Sequence, residues 1–486
     1  MATEITPPFQ ERIPAVRLNY NVGCLFDIPT GEFVIGQHGE AILNGGLGAG
    51  TGFGGKNNLG KSTIMHGLNA TAVIRYTNDI IEDGYKSALT YDTEVNLTQS
   101  RMERICSAIE GYTDANNPIT DGRWNLSDKT MFDGGEVWFT MFKDYLKWKV
   151  SKGKKFIRDT PFLERDGVTL MKTVVPTFTE IDSLSEFETS AIAELKDKVE
   201  VGHKDRNMIY ARQGLHKHGM ISELPRLIAL GSMPLSVTVH IGKKIDFSGE
   251  GNFERVFTFL PMGDTIKGVP GNFNFLVTIL WQIVGAAPLL NDSTKAPEYP
   301  AGSDDDQKKD SDLTLVTVNI LRNKFGRSGL VMQLLVSQEK GLLPSLTEFH
   351  YCKTNDRWGL KGDNTNYRHV FCPDIALGRT LIRPKIEKHP ELRRALNICA
   401  ELLQMKTLWT DDLKLFCTPN ELYDDLIAMG YDWPTLLATR GWWAFDNDKH
   451  PIPFLSSLDL LRMRKGLYVP YWWPKDKPID LTKAKP

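Results

Sequence analysis

Residues 55–63 read Gly55-Lys56-Asn57-Asn58-Leu59-Gly60-Lys61-Ser62-Thr63, and the reading of this stretch decides the fold. It fits G-x-x-x-x-G-K-[ST], a phosphate loop that joins a strand to a helix. The glycines let backbone N–H groups turn inward into an anion cradle. Lys61 can reach the β- and γ-phosphates of a nucleoside triphosphate, and the Ser62 hydroxyl can ligate Mg²⁺. Gly55, Lys56, Asn57, Asn58, Leu59, Gly60, Lys61, Ser62 and Thr63 are therefore the candidate triphosphate-binding residues. The chain from Ser62 to about Tyr76 reads as a helix whose positive end would face the phosphates. A surface Gly/Asn turn is the plain alternative, but an apolar helical run follows at the right place. A strand should feed the loop. Residues 40–44 and 49–54 both compete for that role, and glycine weakens the second as a strand.

The 486 residues suffice for two or three domains with proper cores. A net charge of −2 means that any contact with nucleic acid must come from local basic patches. Six cysteines are scattered with no C-x-x-C pair, which argues against a zinc ribbon or a disulfide framework and fits a reducing cytoplasm. The first residues have neither a basic nor an apolar leader region. No run of eighteen apolar residues occurs, so no membrane span is expected.

Outward from the loop, residues 87–94 form a short β-type run ending in two carboxylates, Asp92 and Glu94. In an open α/β sheet, ligand chemistry sits at the carboxyl ends of strands. Glu94 is thus placed to orient a water on the γ-phosphate, although a solvated strand end has the same pattern. A third strand is expected at 123–126 and a helix over 134–149. Residues 174–183 read as an apolar-leaning strand ending in Asp, the way a metal-binding Walker B carboxylate is presented. Asp182 is the expected ligand, with Glu180 as the alternative if the register slips. Residues 235–240 form another buried-type strand ending in His240, which can sense the γ-phosphate or serve as a structural strand-end histidine.

Two segments carry cations. Residues 194–207 read as a charged loop with Lys204 and Arg206 before a helix over 208–230. Residues 241–272 read as a long loop carrying Lys243, Lys244, Arg255 and Lys267, with Phe247, Phe253 and Phe257 interleaved. Cations that track phosphates and rings that stack on bases suit single-stranded nucleic acid; a mobile solvated loop is the bland reading. Residues 273–284 and 313–321 read as a strand pair around a polar insertion at 291–312, which is polar enough to be disordered. Arg322, Lys324 and Arg327 cluster after the second strand. Such cations can act as fingers on a neighbour's γ-phosphate. Beyond about residue 386 the texture becomes helical and tryptophan-rich.

In this order the pieces resemble the RecA-type strand-exchange ATPases, particularly phage-encoded members. The likeness runs from about residue 23 to 324. Gly55 to Thr63 match the family's phosphate loop, Tyr91-Asp92-Thr93-Glu94 its catalytic-glutamate strand end, and Thr179-Glu180-Ile181-Asp182-Ser183-Leu184 its Walker B strand. The segments at 194–209 and 241–272 fall where the family's two DNA-binding loops lie. Arg322-Asn323-Lys324 looks like the basic triplet that enters the adjacent protomer's ATP site. The chain departs in having His240 where the family often has an amide, and in lacking the adenine-stacking tyrosine, in whose place the nearby Arg101 could stack.

The resemblance implies a fold: an α/β, RecA-like P-loop core with a mostly parallel sheet over residues 36–385. An arm at 1–35, packing on a neighbour or simply a tail, would precede it. A small, mainly helical domain at 386–486 would follow. It implies a cytoplasmic (host-cytoplasmic, if phage-encoded), DNA-dependent ATPase using ATP and Mg²⁺. That enzyme would form helical filaments on single-stranded DNA and pair them with double-stranded DNA. A ring-shaped helicase or translocase of the same fold, and a scaffold with structural ATP, are the alternatives.

Overall fold

The computed structural model describes residues 16–198, 206–244, 255–301, 312–363, 366–409 and 414–485, with backbone alone for 206–213. Its centre is a ten-stranded mixed sheet. In chain order the strands are β1 (Gly50–Gly55), β2 (Ala88–Asp92), β3 (Trp124–Asp128), β4 (Phe178–Asp182), β5 (Leu235–Lys243), β6 (Asp264–Lys267), β7 (Ile279–Pro288), β8 (Leu313–Asn323), β9 (Val331–Ser337) and β10 (Gly341–Leu342). Their spatial order is β3-β2-β4-β5-β1-β7-β8-β9-β10, with β6 paired to β5. The six from β3 to β7 are mutually parallel; β8, β9, β10 and β6 pair antiparallel.

The strand that feeds the phosphate loop is the glycine-rich one, β1, while Ala41–Asn44 pairs with Glu32–Ile35 in a separate hairpin. Packing explains why glycine does not weaken β1. A Cβ at Gly52 would lie 2.7 Å from Leu280, and one at Gly54 would lie 2.6 Å from Ile241. Neighbouring strands close over β1 so tightly that its alternate positions have no room for a side chain.

Helix α1 (Lys61–Thr77) follows the loop and is buried on nearly every side. An all-round apolar helix belongs in a core. One side of α1 faces the sheet. Its far end meets the C-terminal region, where Tyr76 lies 4.7 Å from Trp443 between ring centroids. Helices α2 (Gln99–Ser107), α3 (Gly135–Ser151), α4 (Arg206–Gly231), α5 (Pro344–Thr354) and α6 (Pro390–Leu408) complete the main layers.

The regular structure of the described residues from 386 to 485 is helical, but they share one continuous apolar cluster with α1 and the sheet. Residues 19–30 belong to the same cluster. Tyr20 contacts Tyr76, Phe178 and Trp443, and Trp443 Nε1 donates to the Asn19 carbonyl at 3.0 Å. The arm expected at 1–35 is thus corrected from Asn19 onward: it packs into its own chain's core, because its apolar residues complete that cluster. Of the insertion expected at 291–312, residues 302–311 lie outside the described residues, while 297–300 are buried. Tyr299 is buried against Phe349, and Glu298 pairs with Lys353 at 2.5 Å.

Where α1, α5 and α6 meet, a charged cluster is buried. Glu348 accepts from Asn397 at 3.2 Å, Asn397 also donates to Glu401 at 3.2 Å, and Ser457 donates to Glu401 at 2.5 Å. Asp27 accepts from the Val22 and Gly23 N–H groups at 2.8 and 2.9 Å. Arg75 and Arg394 supply the positive charge. Burial pushes the carboxyls up, to about 8 for Glu348 and about 7 for Asp27, and raises Glu401 as well.

Candidate functional site

The carboxyl ends of β1, β2, β4 and β5 share one edge of the sheet, and the phosphate loop lies there. Gly60 (φ 81°) and Asn58 (φ 60°) adopt the left-handed conformation that turns the loop inward. The first turn of α1 has no side-chain cap and no carboxylate. Its N–H groups and positive end are therefore open to an anion. A Cβ on Gly60 would meet nothing within 4 Å, so the cradle opens on empty space. Lys61 Nζ donates to the Lys56 carbonyl at 2.7 Å, which folds the ammonium over the loop. Burial pulls the Lys61 ammonium down, while nearby Glu94 and Asp182 pull it up.

Asp92 and Glu94 divide their work. Asp92 accepts four backbone N–H groups, from Glu94, Val95, Asn96 and Leu97, at 2.8 to 3.0 Å. It is spent on building the turn that presents Glu94. Glu94 keeps its side chain one-third exposed, accepts from Asn96 Nδ2 at 3.1 Å and lies 3.6 Å from His240 Nε2. His240 is in register with Gly55, the last residue of β1. The structure therefore brings Lys61, Glu94, Asp182 and His240 to one edge.

Asp182 ends β4 in register with Asp92. Its carboxylate accepts from the Thr238 hydroxyl and hydrogen-bonds with the Ser62 hydroxyl. Burial alone would raise its carboxyl, but His66, Thr238 and Ser62 outweigh burial and hold it below the usual range. One carboxylate with one hydroxyl is a hard oxygen donor set. It suits Mg²⁺, which keeps most of its waters. Glu180 is the deeper carboxylate of the same strand, fully buried on α1's side.

The residue that sequence reasoning missed is His66. Its Nδ1 lies 2.9 Å from Glu180 Oε2 and its Nε2 3.6 Å from Asp182 Oδ2. Burial pulls the imidazole down, yet Glu180 and Asp182 prevail and raise it to about 10. A faint signal existed. Glu180 and Asp182 stand two apart and so face one side of their strand, and two buried carboxylates on one face call for a cation.

Other expected site residues lie elsewhere. Arg322, the last residue but one of β8, lies opposite Leu280, which is in register with Gly52 near the start of β1. Because β8 runs antiparallel to β7, Arg322 and Lys324 sit at the amino edge, away from their own phosphate loop. Arg322 Nε is buried with no hydrogen-bond partner. Burial, and then Arg322 itself, pull the Lys324 ammonium down. Arg101 donates to the carbonyls of Gln338 and Glu339, the latter at 2.9 Å. It ties α2 to the β9–β10 turn and is not free to stack on a base.

The segment 241–272 is corrected from a loop to a hairpin at its base. Strand β5 continues to Lys243 and pairs with β6, because Ile241 and Ile266 carry the strand pairing beyond the edge of the main sheet. Lys243, Lys244, Arg255 and Lys267 are exposed on this segment. Lys243 pairs with Asp264 at 2.8 Å, and Arg255 donates to the Thr258 carbonyl at 3.3 Å. Phe257 is buried in the core and is unavailable for stacking; Phe247 and Phe253 lie outside the described residues. The charged segment expected as a loop at 194–207 holds a helix, Ser190–Lys198, in its first part. Lys204 lies outside the described residues, and Arg206 starts α4 with its side chain not described.

Among the described residues no group of three or more His, Cys, Asp or Glu side chains could hold a metal by itself, and no helix is long and apolar enough to cross a membrane. The chain matches no protein-family model and no curated protein sequence.

Proposed function

We propose that this chain is a DNA-dependent, RecA-type ATPase whose ATP site is completed by a second copy. The observation that carries this reading is the meeting of Lys61, Glu94, Asp182 and His240 beside an uncapped phosphate-loop helix. The loop N–H groups and Lys61 bind the triphosphate. Ser62 and Asp182 would hold Mg²⁺, which would supply neutralising charge to the triphosphate. Glu94 orients the water that attacks the γ-phosphorus as the bond to the ADP oxygen breaks. The fit of Glu94 to this role is its exposure and its freedom from the backbone contacts that occupy Asp92.

Arg322 and Lys324 cannot serve their own loop from the amino edge. Repeated head-to-tail contact would bring them to the next copy's site, and such heterologous contacts build filaments or closed rings. The hairpin cations supply the surface for a polynucleotide backbone. In this reading the ATP-bound assembly grips single-stranded DNA for homologous pairing, and hydrolysis releases it.

The test is the ATPase rate of the purified chain with and without single-stranded DNA. Turnover stimulated by DNA is expected. Absence of ATP turnover under both conditions refutes the proposal.

A further inference from the structure

We infer that His66 is a positioning residue that locks the carboxylate of Asp182 to the phosphate-loop helix and thereby builds the Mg²⁺ site. The inference rests on the phosphate-loop reading above and adds to it a role for a residue outside the motif.

Ser62 and His66 are four residues apart on α1, so both face β4. They contact the same carboxylate from two heights of the helix. Ser62 hydrogen-bonds with Asp182, and His66 Nε2 approaches Asp182 Oδ2 at 3.6 Å. Thr238 of β5 holds the other oxygen, Oδ1. The imidazole is itself fixed from behind. Its Nδ1–H donates to Glu180 Oε2 at 2.9 Å, and that oxygen also accepts from Thr90 Oγ1 at 2.7 Å. Thr90 in turn accepts from Trp124 Nε1 at 2.8 Å. The chain of contacts thus crosses β3, β2 and β4 before it reaches α1. His66, Glu180 and Asp182 are all buried, with 3 %, 0 % and 2 % of their surface exposed.

The arrangement is more specific than a histidine filling a core. A space-filling residue needs no donors, whereas this ring directs one nitrogen at each of two carboxylates of β4, one of which is itself held by the Thr90 hydroxyl of β2. Ligand-orienting partners of this kind set metal affinity: their loss costs about 10- to 100-fold.

The test is equilibrium binding of a fluorescent, non-hydrolysable ATP analogue to the full chain, titrated with Mg²⁺ at constant pH. For wild type, affinity should rise with Mg²⁺. For His66→Leu, the Mg²⁺ needed for half the effect should rise about 10- to 100-fold, while affinity without Mg²⁺ stays within about twofold. His66→Gln, whose amide can still donate to a carboxylate, should recover part of the loss. A folded His66→Leu variant with the wild-type Mg²⁺ requirement overturns the inference alone. A wild-type protein that binds no nucleotide overturns the phosphate-loop reading and this inference with it. If His66→Leu does not fold, Thr90→Val carries the test. It loosens Glu180 without touching Asp182, and an unshifted Mg²⁺ requirement in that variant overturns the inference equally.

Discussion

Replacing Glu348 by Gln should remove a pH-dependent weakness of the buried cluster between α1, α5 and α6. Glu348 is raised from 4.5 to about 8, first by burial and then by Glu401 and Asp27 acting against Asn397 and Arg75. A carboxyl raised on folding makes the native state bind more protons than the unfolded state. Stability therefore falls as pH rises from the unfolded value to the folded one, and levels off above about 8. At about 1.4 kcal/mol per pH unit the ceiling is about 5 kcal/mol, of which about 3 kcal/mol falls between pH 6 and pH 9. Proton sharing with Asp27 and Glu401 spreads the step and lowers the observable loss to about 1–3 kcal/mol. Gln keeps an acceptor for Asn397 and cannot ionise, so the variant should lack this part of the decline. Urea unfolding at pH 6, 7.5 and 9, read by the fluorescence of the eleven tryptophans, compares the two proteins. Parallel pH profiles for wild type and Glu348→Gln would refute the account of Glu348 as a proton-holding carboxyl.

Three further outcomes bear on the site. Lys61→Ala should lower ATP turnover by more than about 100-fold, since it removes the cation over the phosphates; near-normal turnover would remove the phosphate-loop assignment. Glu94→Gln should still bind ATP but turn it over at least about 100-fold more slowly, measured by phosphate release against nucleotide binding; unchanged release would leave ATP a structural role. Mixing Lys61→Ala with an Arg322→Ala/Lys324→Ala variant, each inactive alone, should restore part of the ATPase rate, because some junctions then pair an intact loop with intact cations. A mixture that stays inactive argues that these cations do not act between copies.

Much of the site was legible because its residues follow local rules. The phosphate loop is a contiguous motif, and Glu94, Asp182 and His240 each end a run of strand-forming residues. What was illegible depends on distant partners. The choice of β1 turned on Leu280 and Ile241 closing over Gly52 and Gly54, which glycine's poor strand propensity conceals. Asp92 and Glu94 look equivalent in the sequence, and only the turn of 92–97 shows that one is consumed by the backbone. His66 acquires its role from β4, more than a hundred residues away, as its bond to Glu180 shows. Phe257 was placed among stacking rings by its charged neighbours, yet the apolar space beneath the hairpin claims it.

The placement of Trp443 has a consequence for biosynthesis. Its indole occupies a socket made by Asn19, Tyr20, Tyr76 and Phe162, and its bond to Asn19 spans 424 positions of the chain. A nascent chain that has emitted its whole central sheet still lacks the plug for that socket, and Tyr20 and Tyr76 stay uncovered. Final consolidation must wait until Trp443 itself has emerged, so a premature stop anywhere before Trp443 should release an aggregation-prone product rather than a working fragment.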